Sequence, residues 1–339
     1  MSGGPLPPGL ATLSIPLSWI YGAAVRVASS RRGGGGGVRR LPVPVISVGN
    51  VTVGGTGKSP FVAWATRQLA AAGMRPAIAL RGYGSRDPAR GDEALEYRET
   101  SPGVPVLAGA DRHATVLAAI ARGADVGCVV LDDGFQHRRL ARDLDVVLID
   151  ATRPGLDGRL LPAGWLREPA EALRRADLVV VTRAKGVDAG LAATIRRFHG
   201  RDPLAWTDHR WSSVEVVSAA GPRSEPVEWL RGRRAALVAG IGNPAALVAA
   251  AREAGVLLDR ETIGRDHAPW AGPAGDAALA TGRGPGLVLT TGKDWVKLRS
   301  RAIPPGVEIA IPRLEIAFLA GEAEVRARLL AAARAGGPR

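Results

Sequence analysis

A short apolar run, Pro44-Val-Ile-Ser-Val48, leads into Thr52-Val-Gly-Gly-Thr-Gly-Lys-Ser59, and an alanine-rich stretch with helical spacing follows from about residue 58 to 72. A strand that turns through glycines into a helix buries the strand and leaves backbone N–H groups converging at the helix N-terminus, where an anion is favoured. Gly54, Gly55 and Gly57 permit that close backbone approach. Lys58 would neutralise the β- and γ-phosphates of a nucleotide, and the Ser59 hydroxyl would ligate Mg²⁺. The segment departs from G-x-x-x-x-G-K-[ST] at its first position, where Thr52 stands in place of glycine. Residues Thr52, Val53, Gly54, Gly55, Thr56, Gly57, Lys58 and Ser59 are therefore the candidate nucleotide-binding element. They say nothing about the acceptor.

Further apolar runs at 77–80, 126–131, 146–149 and 178–181 alternate with helical stretches near 114–121, 170–175 and 189–198. Such alternation predicts a parallel α/β sheet covered by helices on both faces. Between about 207 and 234 the rhythm fades and Pro, Arg and Trp accumulate, as in an interdomain connection. A second alternating section follows, with strands at 235–239, 287–289 and 307–311 and helices at 244–254 and 321–333. The expected organisation is an N-terminal segment (1–32), a phosphate-loop domain (38–210), a hinge or linker (211–234) and a smaller α/β domain (235–335).

With 339 residues and 46% hydrophobic content the chain has ample material for a core, which excludes disorder as its dominant state. A lone cysteine, Cys128, excludes an internal disulfide and a cysteine-based zinc cage. The net charge of +13 favours polyanionic neighbours without choosing among them. No interleaved aromatic and basic stripe accompanies it, so a nucleic-acid partner is not expected. Residues 2–25 carry no charged side chain and end in Arg26, Arg31 and Arg32. The absence of a basic leading region argues against a cleaved signal, and Ser14, Pro16, Ser18 and Arg26 weaken a full span. An interfacial helix is the favoured expectation, with Trp19 and Tyr21 at headgroup level and the arginines on an anionic leaflet. A span, or a helix packed on the protein's own core, are the alternatives.

Chemistry-bearing residues cluster after the strands. Asp132 and Asp133 follow an apolar run, where a phosphate-loop enzyme keeps its metal-side acid, although adjacent acids also cap helices. His137, shortly after, is a possible substrate contact or an exposed side chain. Arg81 ends the second strand as a candidate phosphate ligand, and Asp92 in the following loop is a candidate general base or a solvated acid. Glu168 lies near a helix start, where a capping carboxylate also belongs. A GTPase reading fails, because Phe135 and Gln136 occupy the glycine positions of D-x-x-G, and Thr291-Gly-Lys-Asp294 only approaches N-K-x-D.

The stretch Val45 to Pro60 resembles the unusual phosphate loop of the tetraacyldisaccharide 4'-kinase family, the lipid A kinases of Gram-negative inner membranes. So do Arg81-Gly-Tyr-Gly84, Gly91-Asp-Glu93, Asp132-Asp-Gly-Phe-Gln-His137, Leu161-Pro-Ala-Gly164 with Leu166-Arg-Glu-Pro169, Ala239-Gly-Ile-Gly-Asn-Pro244 and Asp266-His267. Pro16-Leu-Ser-Trp-Ile-Tyr-Gly22 resembles the family's membrane-associated helix. The resemblance implies transfer of the ATP γ-phosphate to the 4'-hydroxyl of an acylated glucosamine disaccharide 1-phosphate with Mg²⁺. It also implies a hinge between a larger phosphate-loop domain and a smaller α/β domain, and a peripheral or monotopic place on the cytoplasmic face of the inner membrane. By the same resemblance Asp92 is the catalytic carboxylate and His267 assists it, while Asp132, Asp133 and Glu168 surround the metal and nucleotide. Three positions depart from the pattern: Ser59 replaces the commoner Thr, Trp165 a usual Pro, and Gly292 the Glu expected beside Lys293. A nucleotide-switched protein that regulates a partner is the alternative from a different class.

Overall fold

The computed structural model of the chain describes residues 11–34, 37–82, 91–265 and 268–335. It divides into two compact units, one of Met1–His209 with Ile316–Arg339 and the other of Arg210–Glu315.

The first unit opens with helix α1 (Ala11–Gly34). Its sheet comprises β1 (Val45–Asn50), β2 (Pro76–Leu80), β3 (Val106–Ala108), β4 (Cys128–Asp132), β5 (Leu144–Asp150), β6 (Leu178–Thr182) and the first residues of β7 (Ala205–Ser218). They lie side by side in the order β3-β2-β4-β1-β5-β6-β7, and each pair is parallel. Strands β1, β2, β4, β5 and β6 are buried along their whole length. That is why their sequences read as continuous apolar runs: helices cover both faces and leave no polar side. Helices α2 (Lys58–Ala71), α3 (Asp92–Thr100), α4 (Arg112–Ala121) and α5 (Ala189–His199) supply the cover. Phe61, Trp64 and Leu69 of α2 pack with Tyr97 of α3 over β1 and β4, while Ile195 and Phe198 of α5 join Val147 and Val179 in a second cluster. The predicted helix at 170–175 is a 3-10 turn.

The second unit carries the remainder of β7, then β8 (Gly221–Glu225), β9 (Arg234–Ala239), β10 (Leu257–Ile263), β11 (Leu287–Thr290) and β12 (Glu308–Ala320). Helices α6 (Pro244–Glu253), α7 (Pro273–Ala280) and α8 (Gly292–Leu298) accompany them. The parallel ladder β10-β9-β11-β12 is built around Ala235, Leu237, Val238 and Leu289, all buried.

Two boundaries differ from the expectation. Residues 211–218 are not linker: they continue β7, which pairs antiparallel with β8. Val214 and Val216 are buried while their neighbours are not, so one-faced alternation had diluted the apolar signal. The expected second domain also ends too late, because β12 runs back into the first unit and the closing helix α9 (Glu322–Ala335) buries Val325 and Leu329 in the α2 core. Among the described residues, no helix is long and apolar enough to cross a membrane.

Candidate active site

The site is assembled where the parallel strands of the first unit end. β1 finishes at Asn50, and the loop to α2 passes through Gly54 and Gly57, whose φ angles of 107° and 81° are open to glycine at little cost. Gly57 is the residue just before α2, so the loop amides gather at the helix start, where the helix dipole favours an anion. Lys58 begins α2, and its ammonium is held 3.1 Å from Asn50 Oδ1 and 3.3 Å from Asp133. The lysine is thereby aimed back along its own loop. Asn50 is fixed in turn by donating to the Thr52 carbonyl at 2.6 Å, and Gln136 donates to the Asn50 carbonyl at 2.9 Å.

The two acids after β4 occupy different environments. Asp133 sits in the left-handed region, φ 49°, and accepts two bonds from Arg167 at 3.0 and 2.8 Å. Burial works to raise its carboxyl, but Lys58 and Arg167 together outweigh that and hold it below the ordinary value. Asp132, at 5% exposure, is pushed up to about 6 by burial against the pull of Lys58. Its Oδ1 is buried without a hydrogen-bond partner. The fully buried Tyr97 hydroxyl lies beside both Asp132 and Ser59, and its proton is held well above the usual tyrosine range by burial and then by the Asp132 charge.

Other expected residues are placed differently. Asp92 is half-buried at the first position of α3, immediately after Gly91. Arg81 is exposed just after β2. Glu168 is buried and paired with Arg175 at 2.9 Å, and Arg175 in turn stacks over Phe135 at 4.5 Å. Among the described residues no group of three His, Cys, Asp or Glu side chains is placed to hold an ion. Of Asp132, Asp133 and Glu168, arginines have claimed the last two. His137 is half-buried, and burial followed by Arg112 and Arg142 pushes its imidazole down to about 4, so it is neutral. His267, with Asp266, lies outside the described residues.

The loop also has neighbours that the sequence reading passed over. Thr182 Oγ1 donates to the Thr56 carbonyl at 2.9 Å, and Arg183 donates to the Gly55 carbonyl while pairing with Asp150. The His209 ring packs against Gly57 so closely that a Cβ there would overlap it. Arg153 stacks over Trp165 at 4.3 Å and reaches Gly54. Position at the carboxyl ends of β5 and β6 was the available signal for Asp150, Thr182 and Arg183. Thr291-Gly-Lys-Asp294, by contrast, is structural: Asp294 is fully buried and accepts from Gly240 N at 3.0 Å, Trp270 Nε1 at 2.8 Å and Thr291 Oγ1 at 2.7 Å.

The profile of the family described as tetraacyldisaccharide-1-P 4'-kinase matches residues 10–334. The chain belongs to that family. Membership makes it a lipid A 4'-kinase, a phosphotransferase whose acceptor is an alcohol. The tetraacyldisaccharide 4'-kinase of Geobacter metallireducens is 42% identical, over 85% of this chain and 88% of that protein. The Geobacter sulfurreducens kinase is 38% identical, over 85% and 84%. Among solved structures, LpxK from Aquifex aeolicus in complex with ATP superposes with a TM-score of 0.72 at 26% identity, covering 95% of this chain and 99% of that one. The likeness spans both units of this kinase.

Proposed function

We propose that the kinase transfers the γ-phosphate of ATP to the 4'-hydroxyl of a tetraacylated glucosamine disaccharide 1-phosphate, working at the cytoplasmic face of the inner membrane. The observation that carries the reading is the loop before α2, with its positive-φ glycines and a lysine held over it by Asn50 and Asp133. That geometry suits a polyphosphate and has no comparable use in packing. The related Aquifex aeolicus protein was solved with ATP, which supports the choice of nucleotide.

In this reading the loop amides of residues 54–59 bind the phosphate tail, and Lys58 spreads over the β- and γ-oxygens as charge builds there. The Ser59 hydroxyl and the unpartnered Asp132 oxygen fit a divalent cation, since Mg²⁺ asks for one or two protein oxygens beside those of the phosphates. When bound, Mg²⁺ would neutralise the β- and γ-phosphates and polarise the bond that breaks. Arg167 keeps Asp133 as a fixed countercharge for Lys58. Asp92, at the start of α3, would accept the proton of the sugar hydroxyl as the new bond forms, with His267 orienting or tuning it.

Helix α1 supports the membrane assignment. It buries Ser14, Ser18 and Gly22 along one stripe and exposes Leu17, Trp19 and Ile20, the last two at 74% and 67%. Small residues inside and large apolar residues outside invert the pattern of a water-facing helix and suit an acyl boundary. Tyr21 anchors the helix by donating to the Arg167 carbonyl at 3.0 Å.

The test is mass spectrometry of the lipid product after incubation with γ-labelled ATP and the disaccharide 1-phosphate. One added labelled phosphoryl group on the non-reducing sugar is expected. Asp92→Asn should lower kcat by about 10²–10⁴-fold. Wild-type turnover by that variant would remove Asp92 from its role, and hydrolysis without lipid product would favour a nucleotide switch.

A further inference from the structure

The outer edge of the phosphate loop is tied down by side chains from the ends of β5 and β6 and from within β7. Thr182, the last residue of β6, donates its hydroxyl to the Thr56 carbonyl at 2.9 Å. Arg183, the next residue, donates to the Gly55 carbonyl and pairs with Asp150 at the end of β5. Asp150 cannot drift, because its other oxygen accepts from Thr152 N at 2.9 Å and Thr152 Oγ1 at 2.6 Å. On the far side, the His209 ring of β7 blocks Gly57 from moving outward.

Peptide geometry gives these contacts a consequence. In a trans peptide the carbonyl of one residue and the N–H of the next point in opposite directions. Holding the Gly55 and Thr56 carbonyls outward therefore turns the Thr56 and Gly57 amides inward, toward the space a phosphate would fill. Without such ties a glycine loop has many alternative peptide orientations, and binding an anion would require ordering them first.

We infer that Thr182 and Arg183 are positioning residues for phosphoryl transfer, latching the carbonyls of Thr56 and Gly55 so that the loop amides stand ready for the nucleotide. The inference rests on the proposal that the loop holds ATP. Because the latch acts on the loop and not on the transferred group, it serves ADP and ATP alike. An arginine that instead touched the γ-phosphate would distinguish them.

The experiment measures ADP and ATP binding by calorimetry, with kcat and both KM values, for the wild type, Thr182→Val, Thr182→Ser and Arg183→Ala. Thr182→Val keeps the volume and removes the donor, and should weaken ADP and ATP equally, by about tenfold, as expected when a buried carbonyl loses its partner; Arg183→Ala, whose contact with the Gly55 carbonyl is exposed, should weaken both nucleotides equally but by less. The acceptor KM should stay within about twofold of wild type, and Thr182→Ser should restore nucleotide affinity. Unchanged ADP affinity in Thr182→Val, weakening confined to ATP, or no recovery in Thr182→Ser would each overturn the latch. If Arg183→Ala fails to fold, the Thr182 pair decides alone. A wild-type protein that binds neither nucleotide would overturn the underlying proposal instead.

Discussion

His209 gives the sharpest prediction, because its burial has a pH signature separable from its packing. Its ring lies against Gly57, and burial, followed by the Arg183 charge, pushes its pKa from 6.5 to about 4, with Asp150 pulling the other way. A histidine depressed by folding binds fewer protons in the folded chain than in the unfolded one. Its contribution is therefore complete above the unfolded value and is lost as pH falls through the interval down to the folded value. Between about pH 7.5 and about pH 5 the single group should remove about 2 kcal/mol of stability, the free energy of roughly a unit and a half of pH at 1.36 kcal/mol each. The perturbation is His209→Gln, which abolishes the titration. Urea unfolding of both proteins at the two pH values gives four free energies, and the packing lost in the variant cancels in the double difference. Wild type should lose about 2 kcal/mol more than the variant on acidification. Parallel behaviour of the two proteins would show that the ring is solvated, and with it that the outer side of the phosphate loop is not closed.

Three further outcomes follow from particular contacts. Lys58→Met should lower kcat by about 10²-fold or more while shifting stability by less than about 1 kcal/mol, because Asp133 keeps its two bonds to Arg167; steady-state kinetics and a thermal melt separate the two. Asp294→Ala strands three donors in the second unit and should cost about 3 kcal/mol or more by urea unfolding, whereas a base-reading role would have cost nucleotide affinity at little expense in stability. Gly49→Ala puts a Cβ 2.7 Å from Phe135 N, and the forced shift of the turn bearing Asp133 should cost about 1–3 kcal/mol and reduce turnover as well, read from the same two assays.

How much of this was legible in the sequence follows from burial. The core strands of the first unit and the α2 start were readable because strands buried on both faces must be apolar throughout, and a loop that approaches an anion must be glycine-rich. β7 beyond His209 escaped because only Val214 and Val216 turn inward, and α3 because Asp92-Glu-Ala-Leu-Glu-Tyr-Arg-Glu-Thr100 buries little besides Ala94 and Tyr97. The return of α9 to the first unit was not readable from local pattern, since an amphipathic helix does not state which sheet it covers. At the site, Lys58 and the adjacent acids could be picked by residue type, but Thr182, Arg183 and Asp150 become neighbours of the loop only through the order of the strands.

The same limit applies to Asp132 and Asp133, which are interchangeable in the sequence and opposed in the fold. The turn after β4 puts Asp133 into the left-handed region, where Lys58 and Arg167 both reach it and keep it ionised. Asp132 stays on the strand, buried, with one carboxylate oxygen unclaimed, so its charge is expensive until a cation arrives. Environments that drive two neighbouring carboxyls apart assign them different work. On the proposed reading, Asp133 is the standing countercharge for Lys58, and Asp132 is the group that would gain most from a divalent ion. Neutralising Asp133 should therefore misplace the lysine whatever the metal concentration, whereas Asp132→Asn should raise the Mg²⁺ requirement. Titration of activity against Mg²⁺ for the two variants separates the roles, and identical curves would show that the pair acts as one site.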